Sequence, residues 1–457
     1  MRTFSISTLG CKVNQYESRQ IRRFLEQLGL EYTETSEKKT DLIIVNTCCV
    51  TQPASAKSRQ YIRKAQKLNS EALIVVSGCL PTVQIGELNN LGKNVHLIKH
   101  RRTLAAELSR IVRDDSTEIA LHNRTLNLIR PENDSQIKQK NYQSYDQPKL
   151  PLLTCFKGQT RAFLKVQDGC DGYCSYCIIP KTRPILSSKP LELALKEAQD
   201  LVNAGHKEIV LTGIFLGAYG QTSVRRKKWT DRKNEKLPEL LDKMARIPNL
   251  RRIRLSSLEP ADVTPWLLDV FSEHPNIMPH LHLSLQSGSS VILKKMARQY
   301  TAEQFIEKLD LIKSRLDRPA ITADIIVGFP GETDDDFERT VDLAVHAGFA
   351  KMHVFSFSPR KGTPAADMQD TVANSLMKKR SRILHQLDAQ LARAFREQFI
   401  GQTAAVLIES SGQRTAGRSE RYFTVQLEKS QKKCKKNDLL KVKLLKNTED
   451  GLIGRPL

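Results

Sequence analysis

Asp168-Gly169-Cys170-Asp171-Gly172-Tyr173-Cys174-Ser175-Tyr176-Cys177 is the stretch that decides this chain. Its three cysteines stand in a C-x3-C-x2-C pattern just after an apolar run, Phe163 to Val166. Thiolates at that spacing reach three irons of one compact [4Fe–4S] cluster and leave the fourth iron open to an outside ligand. A structural zinc site would close with four ligands, often as two C-x2-C pairs, and no fourth Cys or His follows nearby. A disulfide framework belongs to secreted chains. The opening residues, MRTFSISTLG, lack the apolar core of a signal peptide.

The chain has 457 residues, enough for about three domains. No run approaches the ~20 apolar residues of a membrane span, so a soluble, cytoplasmic protein with no membrane partner is expected. Nine cysteines in a reducing compartment point to metal ligation. Lys and Arg number 72 against 50 Asp and Glu, a net charge of +22. An excess of that size favours a polyanionic partner, most simply nucleic acid.

Working outward toward the N-terminus, residues 1–115 alternate strand and helix signals. Strands are expected over Thr3–Thr8, Asp41–Asn46, Ala72–Ser77 and Val95–Ile98, with helices over Gln15–Leu28 and Ala54–Leu68. That alternation predicts a parallel α/β sheet with right-handed crossovers, whose sites gather at the carboxyl ends of the strands. Cys11, Cys48 and Cys79 each follow a strand there. One such cysteine would read as a small core residue; three at equivalent turns predict a second cluster. Cys49 reads as a core thiol. Residues 116–154, with Pro131-Glu132-Asn133-Asp134 and the polar run Gln136 to Gln147, read as a linker. Cys155 at its end receives no role.

Residues 155–398 carry a longer alternation. Strands are expected over Phe163–Val166, Glu208–Thr212, Arg251–Leu255, Leu281–Leu285, Ala320–Ile326 and Lys351–Phe355. Six such units predict a partial (βα)6 barrel with its chemistry in the carboxyl-end loops. Polar or Gly-rich turns follow these strands, and together they suit a nucleoside-bearing cosubstrate. The stretch Thr222 to Lys236, with Arg225, Arg226, Lys227, Lys228, Arg232 and Lys233, reads as an exposed basic loop able to meet phosphates. A basic amphipathic helix over Leu376–Gln398 leads into residues 399–457, whose short period-two runs predict a small all-β barrel of a nucleic-acid-binding kind. Lys432, Lys433, Lys435 and Lys436 flank Cys434 in one of its turns, and that cysteine reads as incidental.

The cysteine loop resembles that of the radical S-adenosylmethionine enzymes. The order of parts is similar to the methylthiotransferases: a three-cysteine N-terminal domain, a radical-SAM barrel and a TRAM-like C-terminal barrel. Thr8-Leu9-Gly10-Cys11-Lys12-Val13-Asn14-Gln15, Leu255-Ser256-Ser257-Leu258-Glu259-Pro260 and Phe357-Ser358-Pro359-Arg360-Lys361-Gly362-Thr363 resemble the branch acting on threonylcarbamoyladenosine in tRNA. The isopentenyladenosine branch usually has Gln-Met after its first Cys, and the ribosomal-protein branch differs there too. The resemblance implies two [4Fe–4S] clusters. Cys170, Cys174 and Cys177 would hold the one that cleaves S-adenosylmethionine to a 5′-deoxyadenosyl radical. Cys11, Cys48 and Cys79 would hold the one that delivers sulfur, and a second S-adenosylmethionine would give the methyl group. It also implies tRNA, an electron-donating reductase and a sulfur donor as partners. Gly213, Ser284, Gln286 and Asp324 are the expected cosubstrate contacts. The chain departs from the family in Arg183-Pro184-Ile185-Leu186-Ser187-Ser188, where R-G-x-x-R-S is usual, in Phe215 at a commonly polar position, and in Cys49 for Thr or Ser. A ribosomal-protein target within the same enzyme class and a non-catalytic, metal-containing RNA-binding protein are the rival readings.

Overall fold

The structure is a computed structural model that describes residues 1–34, 40–83, 88, 91–114, 148–226, 235–412, 414–428 and 434–457. The polar run Gln136 to Gln147 and the basic side chains Lys227, Lys228, Arg232, Lys233, Lys432 and Lys433 lie outside the described residues. The chain forms two compact units, Met1–Leu153 and Thr154–Leu457. No described helix is long and apolar enough to cross a membrane.

The first unit is built on a sheet in the order β2-β1-β3-β4-β5. Its strands are β1 (Thr3–Thr8), β2 (Glu31–Tyr32), β3 (Leu42–Thr47), β4 (Leu73–Gly78) and β5 (Val95–Leu97), and every pairing is parallel. Leu42, Ile43, Ile44 and Val45 are all buried, because helices cover both faces and a strand so enclosed must be apolar throughout. Helix Lys12–Gln27 puts Ile21 and Leu25 onto Phe4, Leu42 and Ile44. That helix starts three residues before the expected Gln15. Its N-cap is Cys11, whose side chain makes no capping bond, so the usual start signal is absent.

The second unit opens with six parallel barrel strands. They are β6 (Arg161–Lys165), β9 (Glu208–Thr212), β10 (Arg252–Leu255), β11 (His280–Gln286), β12 (Ala320–Val327) and β13 (Lys351–Ser356), and a short pair, β7 (Gln167–Asp168) with β8 (Ser187–Ser188), stands beside them. They form two three-stranded halves, joined by single parallel bridges at Ile253↔Ile277 and Leu258↔Leu283. This is the open six-unit barrel expected from the sequence. Helices begin where polar caps allow. Thr301 and Thr333 each accept a bond from the backbone three residues on, while Gln304 and Asp336 bond back.

The last five strands close into a barrel in the order β14-β15-β16-β18-β17: β14 (Thr403–Ser410), β15 (Ala416–Ser419), β16 (Thr424–Leu427), β17 (Leu439–Asn447) and β18 (Leu452–Pro456). Phe395 and Phe399, from the end of helix Asn374–Glu397 and just beyond, fill its core with Val406, Val425, Val442 and Leu452.

The small barrel is seated on β9 and β10 by buried charge. Arg252 and Arg254 are each 1 % exposed and Glu208 is 0 % exposed. Arg254 donates from Nε to Glu208 Oε1 at 2.9 Å, and from its two Nη atoms to the carbonyls of Glu420 and Ser419 at 2.8 and 2.7 Å. Arg252 donates to the carbonyls of Arg418 and Ala405. Tyr422, at φ 72, stacks on His280 with ring centroids 4.6 Å apart and takes a bond from Arg161 at 3.1 Å.

Candidate functional site

The cysteine loop lies between β7 and β8 and is tied down on every side. Gln167 spans it: Nε2 donates to the carbonyls of Asp168 and Gly169 at 2.9 and 2.8 Å, and Oε1 accepts from Phe215 N at 2.8 Å. Arg183 donates to Asp168 Oδ1 at 2.6 Å while its carbonyl accepts from Cys170 N at 2.9 Å. Gly169 sits at φ +80, and a Cβ there would lie 2.0 Å from Ile185 O, so only glycine lets the two segments touch. The departing segment after Arg183 therefore still pairs with the loop, through its main chain. On the far side, Ser175 donates to Lys295 O at 2.8 Å, and its carbonyl accepts from Ala365 N at 2.8 Å.

Inside this frame stand the partly buried thiols of Cys170, Cys174 and Cys177. Gly172 N lies 3.3 Å from Cys170 Sγ, and Arg298 Nη1 lies 3.1 Å from Cys174 Sγ. Burial pushes the Cys170 thiol up to about 11 and the Cys177 thiol up to about 12, and charge on Cys174 adds to both. Cys170 and Cys177 therefore keep their protons until a metal displaces them, since ligation needs thiolates. The donor set fits an iron–sulfur cluster, with N–H groups already aimed at two of the sulfurs.

Of the expected cosubstrate contacts, Ser284 and Gln286 lie at the end of β11 and Asp324 on neighbouring β12, where His282 Nε2 stands 3.2 Å from Asp324 Oδ2. His282 Nδ1 is held 2.8 Å from Thr322 Oγ1. Gly213, after β9, packs on Gln167: a Cβ would come within 2.9 Å of Gln167 Cβ and Oε1.

In the first unit, Cys11, Cys48 and Cys79 fall at the ends of β1, β3 and β4, which are neighbours in the sheet. The turns pack tightly. A Cβ on Gly10 would lie 3.0 Å from Cys48 Sγ, and one on Gly78 would lie 2.3 Å from Thr47 O. Asn14 Nδ2 joins two of the turns by donating to Leu9 O at 2.7 Å and Thr47 O at 2.9 Å. Cys79 N donates to Thr47 O at 3.0 Å, and Arg101 Nη2 reaches Cys79 Sγ at 3.2 Å. Cys11 is exposed and Cys48 and Cys79 are buried. Cys49 is fully buried, as a core thiol should be. Gln167, Asn14 and Thr47 escaped the sequence reading, because amides and hydroxyls carry no motif until their distant partners are known.

Residues 164–344 match the Radical SAM superfamily, and residues 3–99 match Uncharacterized protein family UPF0004. A Bacillus subtilis protein named threonylcarbamoyladenosine tRNA methylthiotransferase MtaB is 35 % identical over 98 % of this chain and 94 % of its own. The chain belongs to the radical S-adenosylmethionine methylthiotransferase family. A Thermotoga maritima protein of the same name is 36 % identical over 90 % of this chain and 87 % of its own. A Rickettsia rickettsii protein named tRNA-2-methylthio-N(6)-dimethylallyladenosine synthase is 32 % identical over 89 % of this chain and 88 % of its own. Among solved structures, the radical S-adenosylmethionine methyltransferase TsrM from Kitasatospora setae shares the fold. Its TM-score is 0.55 and its identity 15 %, over 80 % of this chain and 77 % of that one. The chain is thus an enzyme of the radical-SAM methylthiotransferase type, a family that works with S-adenosylmethionine and a [4Fe–4S] cluster.

Proposed function

We propose that this methylthiotransferase acts on threonylcarbamoyladenosine beside the tRNA anticodon, placing the methylthio group on C2 of the adenine. The observation that carries the reading is the pair of cysteine triads in one chain, one on each unit, together with Thr8-Leu9-Gly10-Cys11-Lys12-Val13 in place of the Gln-Met signature. Cys170, Cys174 and Cys177 hold the first cluster, which with S-adenosylmethionine supplies a carbon-centred radical when both are bound. Cys11, Cys48 and Cys79 would hold a second cluster, which would supply the sulfur.

The chain's own residues position and shield. Gln167 and Arg183 hold the backbone of the cysteine loop in place. Asp324, 3.2 Å from His282, and Ser284 and Gln286 at the end of β11 would bind the cosubstrate's hydroxyl and amino groups. Gly213 serves that contact by letting Gln167 close against the strand end. The small C-terminal barrel and the net charge of +22 suit tRNA. A reductase and a sulfur donor complete the partners.

Nucleoside mass spectrometry of tRNA from cells with and without the gene tests the substrate. Loss of the methylthio form of threonylcarbamoyladenosine is expected. Loss of the methylthio form of the isopentenyl nucleoside instead would assign the chain to the other branch, and an unchanged profile would end the tRNA reading. Cys174→Ala should abolish cosubstrate cleavage, whereas Cys48→Ala should keep cleavage and stop sulfur insertion. Full methylthiolation by the Cys48 variant would overturn the second cluster.

A further inference from the structure

Tyr173 stands inside the cysteine loop, one residue before Cys174, and is 48 % exposed. The guanidinium carbon of Arg225 lies over its ring, 5.8 Å from the centroid. Arg225 is the first basic residue of the stretch Thr222 to Lys236, and its side chain is 60 % exposed. The cysteine loop itself holds the two together. Ser223 Oγ donates to Asp171 Oδ2 at 2.6 Å, Val224 N to Asp171 Oδ1 at 2.8 Å, and Arg225 Nε to the Asp171 carbonyl at 2.7 Å. Val224 is buried against Gly172, where a Cβ would come within 3.3 Å of Val224 Cγ2. Gln299 closes the other side, accepting from Arg226 N at 2.6 Å and donating to Val224 O at 3.0 Å.

These bonds fix a pair that does little for the fold. An exposed arginine over an aromatic ring adds only modestly to stability, and the Asp171 carboxylate is 3.8 Å from Arg225 Nε. Among the described residues the Nη atoms of Arg225 have no hydrogen-bond partner. A ring open to solvent beside an outward guanidinium is the equipment of a surface for single-stranded RNA: the ring stacks on a base and the guanidinium meets a phosphate. The net charge of +22 draws such a partner in. Place matters as much as chemistry. Neighbouring Cα atoms are about 3.8 Å apart, so Tyr173 stands at the rim of the cluster that starts the reaction. A base that is splayed out to be modified leaves its neighbour without a stacking partner, and a ring at that rim replaces the lost one.

We propose that Tyr173 and Arg225 clamp a nucleotide adjacent to the target adenosine, the tyrosine stacking on its base and the arginine holding its phosphate. This rests on the tRNA reading above. The clamp is set before RNA arrives, because Asp171 and Gln299 already hold residues 223–226, so little ordering is left for the binding step.

The test measures dissociation constants of the anaerobically reconstituted full chain for two anticodon stem–loop RNAs that carry threonylcarbamoyladenosine. One is intact, and the other has abasic sites in place of both bases flanking the target. Tyr173→Ala should weaken the intact RNA roughly 5- to 100-fold and leave the abasic RNA unchanged, while Tyr173→Phe should bind both as wild type does. Arg225→Gln should weaken both RNAs and lower the slope of log Kd against log salt by about 0.7. Unchanged binding of the intact RNA by Tyr173→Ala overturns the proposal, and so does equal weakening of both RNAs. Tyr173→Ala that binds RNA normally yet loses reductase-driven, but not dithionite-driven, cleavage of S-adenosylmethionine would make this a reductase surface and overturn it as well. Wild-type protein with full iron that binds neither RNA would instead sink the tRNA reading itself, and this inference with it.

Discussion

Replacing Glu208 by Gln should unseat the small barrel. The amide keeps the shape of the carboxylate but removes the one negative charge that, among the described residues, is bonded to Arg252 and Arg254, both essentially inaccessible to water. Breaking a buried pair from one side costs about 3–5 kcal/mol. The carbonyls of Ala405, Arg418, Ser419 and Glu420 still hold the guanidinium groups, which favours the lower end. At about 2 °C per kcal/mol for a unit of this size, the melting temperature should fall by roughly 6–10 °C. Burial works to raise the Glu208 pKa, but Arg254, Arg252 and Arg161 outweigh it and hold the carboxyl below its ordinary value. A depressed carboxyl contributes stability above its unfolded pKa, about 4.3, and loses it as pH falls through the folded value. The gap between wild type and variant should therefore be full from pH 7 to 5 and shrink only in more acid solution. Calorimetric melts of the purified full chain across that range read it. A shift under about 2 °C at pH 7 would show that the main-chain carbonyls alone neutralise the arginines, and the reasoning would fail.

Gly78→Ala should damage the first unit, since the new methyl meets Thr47 O in a backbone at φ +95. A cost of about 2–4 kcal/mol is expected, visible as a lower melting temperature and as iron lost from the Cys11, Cys48 and Cys79 site while the other cluster is retained. Gln167→Leu removes three hydrogen bonds from the cysteine loop. Reconstitution followed by visible absorption should show less iron in the Cys170 site, and undiminished iron would mean that Arg183 and Ser175 suffice to hold the loop.

The six-strand barrel was legible because its strands carry apolar runs or apolar residues at every second place, and the helices between them a 3.6-residue period. The first cluster was legible because its ligands are nearly contiguous. Cys11, Cys48 and Cys79 could be grouped only through topology, since a parallel sheet brings the ends of β1, β3 and β4 together whatever their separation in sequence. Strand β15, Ala-Gly-Arg-Ser, and strand β18, which ends at Pro456, carry too little apolar alternation to announce themselves; barrel closure makes them strands. The Glu208 seat was illegible for a further reason. Arginines inside a strand read as solvent-facing until the small barrel is known to cover them.

Arg252 and Arg254 recognise the small barrel almost wholly through peptide carbonyls. Every residue has that group, so these bonds are blind to the barrel's sequence, and what is specific at the joint comes from a few side chains such as Glu409 on Arg161 at 2.7 Å and Arg421 on Asp317 at 3.1 Å. The barrel's outward face can be rewritten, for a different RNA contour or a different net charge, without renegotiating how it is mounted. A graft of a foreign barrel of the same strand order would need to bring a tyrosine at the place of Tyr422, a carboxylate at that of Glu409 and an arginine at that of Arg421.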